Sequence, residues 1–287
     1  MSNVYLSWFT TDEYFPFYIQ YGGHEEDTSF HKHVDFSELV IVLNGHATHV
    51  VNQEESFIKK GNVFVINGGT PHAYKDPYDF KICNIMYKAE MLKLAGPDLR
   101  TLNGYQALFV LEPFYRSINS YKSKLNMSIV SLEYVSSLIT AMIKEYDEKL
   151  HGYQTMLASK FMELVVYLSR HYDNQEKGVD SLMHLANAIS YIEDHYREQV
   201  TLEEIADKSD ISVRHLNRIF RAYYLTTPIA YIQRLRLEQA CTLLKQTNRS
   251  ITEISYECGF NDSNYLTRQF KKMYGMSPKA FRKQQQL

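Results

Sequence analysis

The feature that most constrains this chain is a helix-turn-helix pattern between residues 250 and 278. Ser250 and Glu253 have the spacing of a capping box, which predicts the start of a first helix. Gly259 stands where a tight turn needs a left-handed residue, and Asp262 or Ser263 is the predicted N-cap of a second helix. The residues of the second helix expected to face inward are Leu266, Phe270 and Met273. The stretch therefore predicts two short helices joined by a tight turn.

The same pattern occurs once more, about fifty residues earlier in the chain. Thr201 and Glu204 repeat the capping box, and Ser212 repeats the second N-cap. Asp210 takes the place of the turn glycine, and Asp is among the few residues that tolerate a left-handed conformation. Because an internal repeat arises by chance far less readily than a single motif, the sequence predicts two copies of one helical unit.

Charge is distributed unevenly along the chain. Residues 1–179 carry 16 basic and 21 acidic side chains, a net charge of −5, whereas residues 211–287 carry 13 and 4, a net charge of +9. The outward face of the last predicted helix is polar and basic, which suits a DNA major groove. This asymmetry, hidden in the overall net charge of −2, predicts a C-terminal end that binds nucleic acid.

One helix is predicted between the two copies, from Pro228 to Lys245, because apolar residues recur at helical spacing. The residues on or near its apolar face are Ile232, Leu235, Ala240, Leu243 and Leu244. Such a helix would hold the motifs at a fixed separation, so that both could enter successive segments of one major groove, about 34 Å apart.

These residues resemble the AraC/XylS family of bacterial transcription regulators, whose signature is the double motif. The run CGFNDSNYLTRQFKKMYGMSP fits the most diagnostic part of that signature. Leu225 departs from the pattern, since the first copy usually has glycine there. The resemblance implies double-stranded DNA and RNA polymerase as partners, and a homodimer. The positions that it implies as base-contacting are Arg214, Asn217, Arg218, Ser263, Asn264, Thr267 and Arg268; the alternative is that these are solvated polar faces.

The N-terminal part reads differently, as short apolar runs separated by turn signals from Val4 to about Tyr87. This pattern predicts an antiparallel sandwich or barrel. Asn44-Gly45 is a predicted hairpin turn, and a further turn is predicted at Asn67-Gly68-Gly69. The fold class expected for the whole chain is therefore a multidomain α and β protein. It comprises a β-barrel with a helical hairpin, and an all-α domain with two helix-turn-helix motifs joined by a linker helix.

Within this region, the order and spacing of His31, His33, Glu38 and His72 resemble the cupin barrel motifs. In metal-binding cupins the matching positions coordinate one divalent ion, which three imidazoles and a carboxylate can do. Many regulators instead use the barrel mouth as a small-molecule pocket. We expect no cofactor and no metal, and an effector site formed by His31, His33, Glu38, Asn67, His72, Tyr74 and Trp8. Trp8 could stack on a sugar ring or simply belong to the core.

The remaining boundaries follow from helical stripes and a polar break. Two amphipathic helices on either side of Gly152 predict a hairpin, with one edge serving either a dimer interface or only the barrel. The predicted domains are residues 1–100 (barrel), 101–172 (hairpin, possible dimerisation), 173–181 (linker) and 182–287 (DNA binding). Three scattered cysteines, Cys83, Cys241 and Cys258, indicate neither a disulfide framework nor a zinc finger. We expect a cytoplasmic protein without membrane segments.

Three stretches are similar to the L-rhamnose-responsive activators of the family: HKHVDFSELVIVLNGHATHV, DFKICNIMYKAEMLKL and CGFNDSNYL. The similarity implies a sequence-specific activator that responds to a sugar, with rhamnose as the first candidate. Two alternatives stay open. One is a metal-dependent cupin enzyme fused to a DNA-binding domain, and the other is a regulator whose barrel only dimerises.

Overall fold

The structure is a computed structural model that describes residues 2–12, 14–52, 54–94, 96–113, 124–173 and 181–285. The chain divides into two compact units, Met1–Leu182 and Met183–Leu287. Most of the predicted linker, residues 174–180, lies outside the described residues, and the finer domain boundaries stay predictions. Among the described helices, none combines the length and the apolar content needed to cross a bilayer.

The N-terminal unit is built on one sheet. Its strands are β1 (Ser2–Val4), β2 (Phe17–His24), β3 (His31–His33), β4 (Ser37–Val51), β5 (Glu54–Lys59), β6 (Asn62–Ile66), β7 (His72–Tyr87) and β8 (Leu125–Asn126). The strand order is β1-β3-β7-β4-β6-β8, with β2 paired to β7 and β5 paired to β4. All pairs are antiparallel except β1 with β3. The antiparallel β architecture predicted from alternation is confirmed.

The long strands β4 and β7 form the spine of this sheet and bury its apolar core. Val40 on β4, Phe64 on β6 and Ile82 on β7 are almost completely excluded from solvent and belong to one cluster. Burying such side chains is the main favourable contribution to folding. The strand β7 therefore carries both part of this core and one of the histidines described below.

The predicted hairpin at Asn44-Gly45 is wrong. β4 runs through both residues, and its pairing with β7 shifts register between Val42 and Asn44 and again between Asn44 and His46. Gly45 has φ +66°, and a Cβ there would lie 2.1 Å from the carbonyl oxygen of Tyr78. The glycine therefore serves a β-bulge, which needs a left-handed residue as much as a hairpin does. The turn predicted at residues 67–69 does separate β6 from β7.

Helical segments follow strand β7 in this unit. After two short 3-10 helices, Ala89–Leu94 and Pro97–Thr101, come α1 (Asn103–Tyr105), continued by a π-helical turn at Gln106–Leu111, then α2 (Ile129–Glu148) and α3 (Tyr153–Asp173). The ring of Phe161 on α3 lies 5.3 Å from Phe17 and 5.1 Å from Tyr87, so this helix packs on the barrel. The first apolar residue of α2, Ile129, is 74% exposed and faces away from that contact.

The C-terminal unit is entirely helical within the described residues. Its helices are α4 (Ser181–His195), α5 (Leu202–Lys208), α6 (Val213–Tyr224), α7 (Pro228–Gln246), α8 (Ile251–Glu257), α9 (Ser263–Tyr274) and α10 (Pro278–Gln285). Both predicted capping boxes are present, at Thr201 and at Ser250. Ser212 and Asp262 are the N-caps of α6 and α9, as the repeat predicts. Met273 is the exception, because it is 42% exposed rather than inward-facing.

Two helices brace the motifs. All five predicted apolar residues of α7 are buried. Arg236 of α7, only 7% exposed, donates hydrogen bonds of 2.6 Å to the carbonyl oxygens of Tyr196 and Glu198, just after α4. The same segment receives the second motif, because Gln199 donates to the carbonyl of Gly259. The first motif meets the other end of α4 through His184, whose Nδ1 lies 2.7 Å from the carbonyl oxygen of Ser209.

Candidate DNA-binding surface and effector site

The helices α6 and α9 are constructed alike. Each begins at a side-chain cap, since the Ser212 hydroxyl accepts from the amide of His215 and the Asp262 carboxylate accepts from two amides. Their inner faces are buried through Leu216 and Phe220 in α6, and through Leu266 and Phe270 in α9. Because these positions are spaced by four residues, the opposite side of each helix faces solvent.

The solvent side of both helices carries the same stripe of polar chemistry. In α6 the exposed residues at spacing i, i+4 and i+7 are Arg214, Arg218 and Arg221; in α9 they are Asn264, Arg268 and Lys271. Residues at this spacing lie along one helix face. Lys271 belongs to the outward basic face that the sequence predicts for the second motif, but not to the seven implied base-contacting positions. Arg221 was missed, although the i+7 spacing could have found it. Two matched faces rich in cations are suited to phosphate and guanine contacts.

The seven predicted base-contacting residues differ in how freely they project. Arg214, Arg218, Asn264 and Arg268 are exposed, whereas Asn217, Ser263 and Thr267 are half-buried. The Asn217 amide donates to the carbonyl of Val213, and the Thr267 hydroxyl donates to that of Ser263. These two side chains are thus hydrogen-bonded to their own helices. The exposed arginines are therefore the stronger candidates for direct contact with base edges.

Three histidines converge inside the N-terminal unit. His31 and His33 on β3 meet His72 on β7, with one ligand nitrogen from each lying within 4.8 Å of the others. The ring of His31 is 4.3 Å from that of His72. Glu38, on β4, adds a buried carboxyl whose Oε2 is 3.7 Å from Nε2 of His33. The strand register explains the convergence, because His31 pairs directly with His72.

Burial keeps His33, His72 and Glu38 uncharged near neutral pH. Burial and the nearby His31 lower the pKa of His33 to about 3, and burial lowers the pKa of His72 well below its usual range. Burial raises the pKa of the Glu38 carboxyl to about 8. A charged group in a low-dielectric interior loses hydration, so each neutral form is favoured. These three residues therefore present neutral polar groups, which suits an uncharged ligand or a metal that binds neutral imidazole.

Other aromatic and polar side chains complete the interior. Tyr74 stacks on His49 at 5.1 Å and on His24 at 5.4 Å, and the ring of His49 is 5.8 Å from that of His72. His24 and His49 were not predicted as site residues. Asn67 lies half-buried at the end of β6, where its amide oxygen accepts from the hydroxyl of Ser37.

Trp8 lies elsewhere than predicted. It belongs to a 3-10 helix, Leu6–Trp8, and is 65% exposed, so it is not a core residue. It lines a cavity of about 490 Å³, and no other predicted effector residue lines that cavity. Trp8 therefore lines a cavity to which the histidine cluster does not contribute.

The histidine cluster fits a divalent ion chemically, which is what a cupin motif implies. Nδ1 of His33 and Nε2 of His72 are buried and have no hydrogen-bond partner in the described structure. Nδ1 of His72 lies 3.1 Å from the carbonyl oxygen of Thr70, a contact that orients the ring as outer-shell partners orient metal ligands. His31, His33 and His72 would hold the ion, with Glu38 nearby, and the ion would supply an electrophilic centre for ligand oxygens.

Two family models match the chain, a helix-turn-helix domain over residues 205–284 and a cupin domain over residues 17–84. Together they cover both helix-turn-helix motifs and the strands that carry the histidines.

Curated relatives match nearly the whole chain. The HTH-type transcriptional activator RhaS of Enterobacter sp. (strain 638) is 31% identical over 259 residues, covering 87% of this chain and 86% of the relative. RhaS of Escherichia fergusonii is 32% identical over 258 residues, with the same coverage. The HTH-type transcriptional activator RhaR of Mannheimia succiniciproducens is 27% identical over 278 residues, covering 96% and 94%. The chain belongs to the AraC family of DNA-binding transcription activators.

Membership in the AraC family accounts for the main features of both units. The C-terminal unit is the DNA-binding domain, and the paired stripes on α6 and α9 are its candidate contact surface. The N-terminal unit contains a cupin domain, whose interior is the candidate effector site. The relatives are transcriptional activators by name.

Proposed function

We propose that this AraC-family protein activates transcription in response to a small neutral sugar that binds among the histidines of the cupin domain. L-rhamnose is the first candidate, because relatives across nearly the full length are the activators RhaS and RhaR. The observation that carries the proposal is the cluster in which His31 meets the buried, uncharged side chains of His33, His72 and Glu38. Sugar hydroxyls both donate and accept hydrogen bonds, so neutral imidazoles and a protonated carboxyl are suitable partners.

On the DNA side, the proposed readers are the seven residues predicted from the motif. Arg218 and Arg268 are both exposed and would bind guanine in a bidentate manner. Recruitment of RNA polymerase and homodimer formation are parts of the same proposal.

The proposed dimer surface is the outer face of the α2–α3 hairpin, where Ile129 and Val130 are exposed. Val130→Asp should then shift the sedimentation coefficient from dimer to monomer, whereas Glu133→Gln should not.

The effector proposal is tested by thermal unfolding and calorimetry with L-rhamnose. At a sugar concentration 100 times the dissociation constant, binding should add ~2.7 kcal/mol to the free energy of unfolding. His31→Ala should reduce the effect, since His31 belongs to the proposed site, is half-buried and can be lost with the core intact. His46→Ala is the matched control, because His46 stacks on Tyr78 outside this cluster. Equal loss in both variants, or no sugar effect in the wild type, would contradict the proposal.

A divalent ion in the same cluster is the second candidate, favoured by the nitrogen atoms of three imidazoles within 4.8 Å of one another. Elemental analysis of the purified protein separates the two. Less than about one tenth of an equivalent of metal would exclude a bound ion in this cluster and, with it, the metal-dependent enzyme. A full equivalent that is lost in His72→Ala would instead establish it.

A further inference from the structure

We propose that the cavity beside Trp8 is a second binding site, for a neutral carbohydrate, separate from the histidine cluster. The cavity, of about 490 Å³, lies between the N-terminal segment, the start of β2 and the turn that joins α2 to α3. Its volume falls within the range of small-molecule pockets, roughly 300 to 1,000 Å³. This site is independent of the proposed function, because none of the residues that line it belongs to the histidine cluster.

Aromatic rings form one wall of this cavity. The Trp8 ring is largely exposed, and Phe9 and Tyr146 line the cavity with it. Tyr18 packs against two of these rings, since it lies 5.4 Å from Phe9 and 5.5 Å from Tyr146, the latter in an edge-on arrangement. A large exposed ring with a polar N–H edge offers an apolar face and a hydrogen-bond donor together. The C–H face of a pyranose ring is complementary to such a platform.

Polar groups of the same cavity are available for a ligand. The lining residues include four with such groups: the hydroxyls of Ser7, Thr11 and Tyr146, and the indole N–H of Trp8. Among the described residues, none of these four groups has a hydrogen-bond partner in the protein. Hydroxyls can both donate and accept, as can the hydroxyls of a sugar. The presence of both aromatic rings and unpaired hydroxyls in one cavity therefore favours a polyhydroxylated ligand over a purely apolar one.

Asp12 makes the cavity preformed and electrically balanced. Its Oδ1 accepts from the amides of Tyr14 and Phe15, and its Oδ2 accepts from Gln154 at 2.7 Å and from the Tyr153 hydroxyl at 3.3 Å. Four donors fix the carboxylate and the segment that carries it. Lys149 lines the cavity with an ammonium group that lies 5.2 Å above the Tyr146 ring. One negative and one positive charge leave no net charge, which favours a neutral sugar over a sugar acid or a phosphate.

Two phenylalanines separate this cavity from the histidine cluster. Phe9, at the cavity, lies 6.4 Å from Phe36, and Phe36 stacks on His33 at 4.4 Å. The two sites are therefore neighbours with a wall between them. An experiment must distinguish a ligand at Trp8 from a change transmitted through that wall.

Trp8 is the only tryptophan in the chain, so selectively excited fluorescence of the full-length protein reports on this cavity directly. L-rhamnose is the neutral probe, and D-galacturonate is the charged one. We expect a saturable change in Trp8 fluorescence with L-rhamnose and a weaker response to D-galacturonate. Tyr146→Phe and Lys149→Asn should each weaken the apparent affinity about tenfold, the loss expected for one hydrogen bond. Asn suits position 149 because Lys149 has φ +46°.

His31→Ala provides the control for the barrel. The proposal requires that this variant keep the fluorescence change at wild-type affinity. It is overturned if L-rhamnose causes no saturable change, if His31→Ala abolishes the change while Tyr146→Phe and Lys149→Asn preserve it, or if only D-galacturonate binds. Calorimetry on the same variants tells the sites apart, since His31→Ala should lose only the heat of the barrel site. Loss of all heat in His31→Ala would overturn the Trp8 site.

Discussion

The two helix-turn-helix motifs follow one backbone plan but meet its demands with different residues. Both need a left-handed residue in the turn and another after the second helix. The second motif supplies Gly259 and Gly275, with φ +83° and +76°, whereas the first supplies Asp210 and Leu225, with φ +54° and +51°. Glycine adopts this region without steric cost, and a branched apolar residue does not. The first motif therefore carries backbone strain that the second avoids.

The surroundings of the turns differ as well. A Cβ at Gly259 would lie 2.3 Å from the carbonyl oxygen of Arg197, because the second motif packs closely on the segment after α4. Asp210, by contrast, is exposed. Glycine is thus required at residue 259 by packing as well as by conformation, whereas residue 210 needs only a residue that tolerates the conformation. Equivalent positions of a repeat can therefore be under unequal constraint.

The largest expected difference between the motifs is at their turns. Gly259→Ala should lower the free energy of unfolding by about 3 kcal/mol or more, because it adds backbone strain to a clash with main chain. Asp210→Ala should cost only about 1 kcal/mol, since it adds strain without a clash. Chemical denaturation of both variants measures the difference. Equal losses would show that the close approach at Arg197 does not constrain the second turn.

Next in size is the expected effect on DNA recognition. Arg268→Ala should weaken binding by about 1 to 3 kcal/mol and relax the preference at one base pair, if its guanidinium reads guanine. Arg218→Ala should do the same at the base pair read by the first motif. Arg268→Lys is the control, because it keeps the charge but loses the bidentate geometry. Binding assays on singly substituted operators provide the measurement, and uniform weakening on all sequences would mean that these residues contact only phosphate.

A smaller contrast is expected at the N-caps of α6 and α9. The Asp262 carboxylate accepts from the amides of Asn264 and Tyr265, whereas the Ser212 hydroxyl accepts only from that of His215. Asp262→Ala should therefore cost up to about 2 kcal/mol, and Ser212→Ala nearer to 1 kcal/mol. Thermal unfolding with Asp262→Asn as a conservative control checks the order. A larger loss for Ser212→Ala would show that the number of accepted amides is not what matters.

The smallest expected effect is at the ends of the second helices. Leu225 is 90% exposed, so replacing it removes strain and little packing. Leu225→Gly should stabilise the protein by about 0.5 to 1 kcal/mol, after allowing for the greater freedom of glycine in the unfolded chain. Gly275→Ala should destabilise it by about 1 kcal/mol through strain alone, because no atom lies within 4 Å of the added Cβ. Melting temperatures that move in the same direction would contradict the comparison.

The features that the sequence predicts well are local. Each capping box joins groups three residues apart, so the pattern at Thr201 or Ser250 contains all the interacting atoms. The inward positions Leu216 and Leu266 follow from helical period for the same reason. The convergence of His31, His33 and His72 was expected from the resemblance to cupin motifs, and the structure brings these three residues together.

The features that the sequence missed depend on register or on distant contacts. Asn44-Gly45 indicates only a preference for left-handed backbone, which a bulge satisfies as well as a hairpin. The register shifts in β4 decide which later residues point inward, and this hid His49, which is fully buried beside Tyr74. The cavity beside Trp8 includes Tyr146, far along the chain, and no local pattern links the two residues.

The buried guanidinium of Arg236 has a consequence for the response to salt. Its protons are bonded to the main-chain carbonyls of Tyr196 and Glu198, and its plane lies 5.9 Å from the Phe260 ring, away from mobile ions. The cations on the outer faces of α6 and α9 are instead open to the counterions that compete with phosphate. Rising ionic strength should therefore dissociate the DNA well before it weakens the hydrogen bonds of Arg236, which help to keep α6 and α9 aligned.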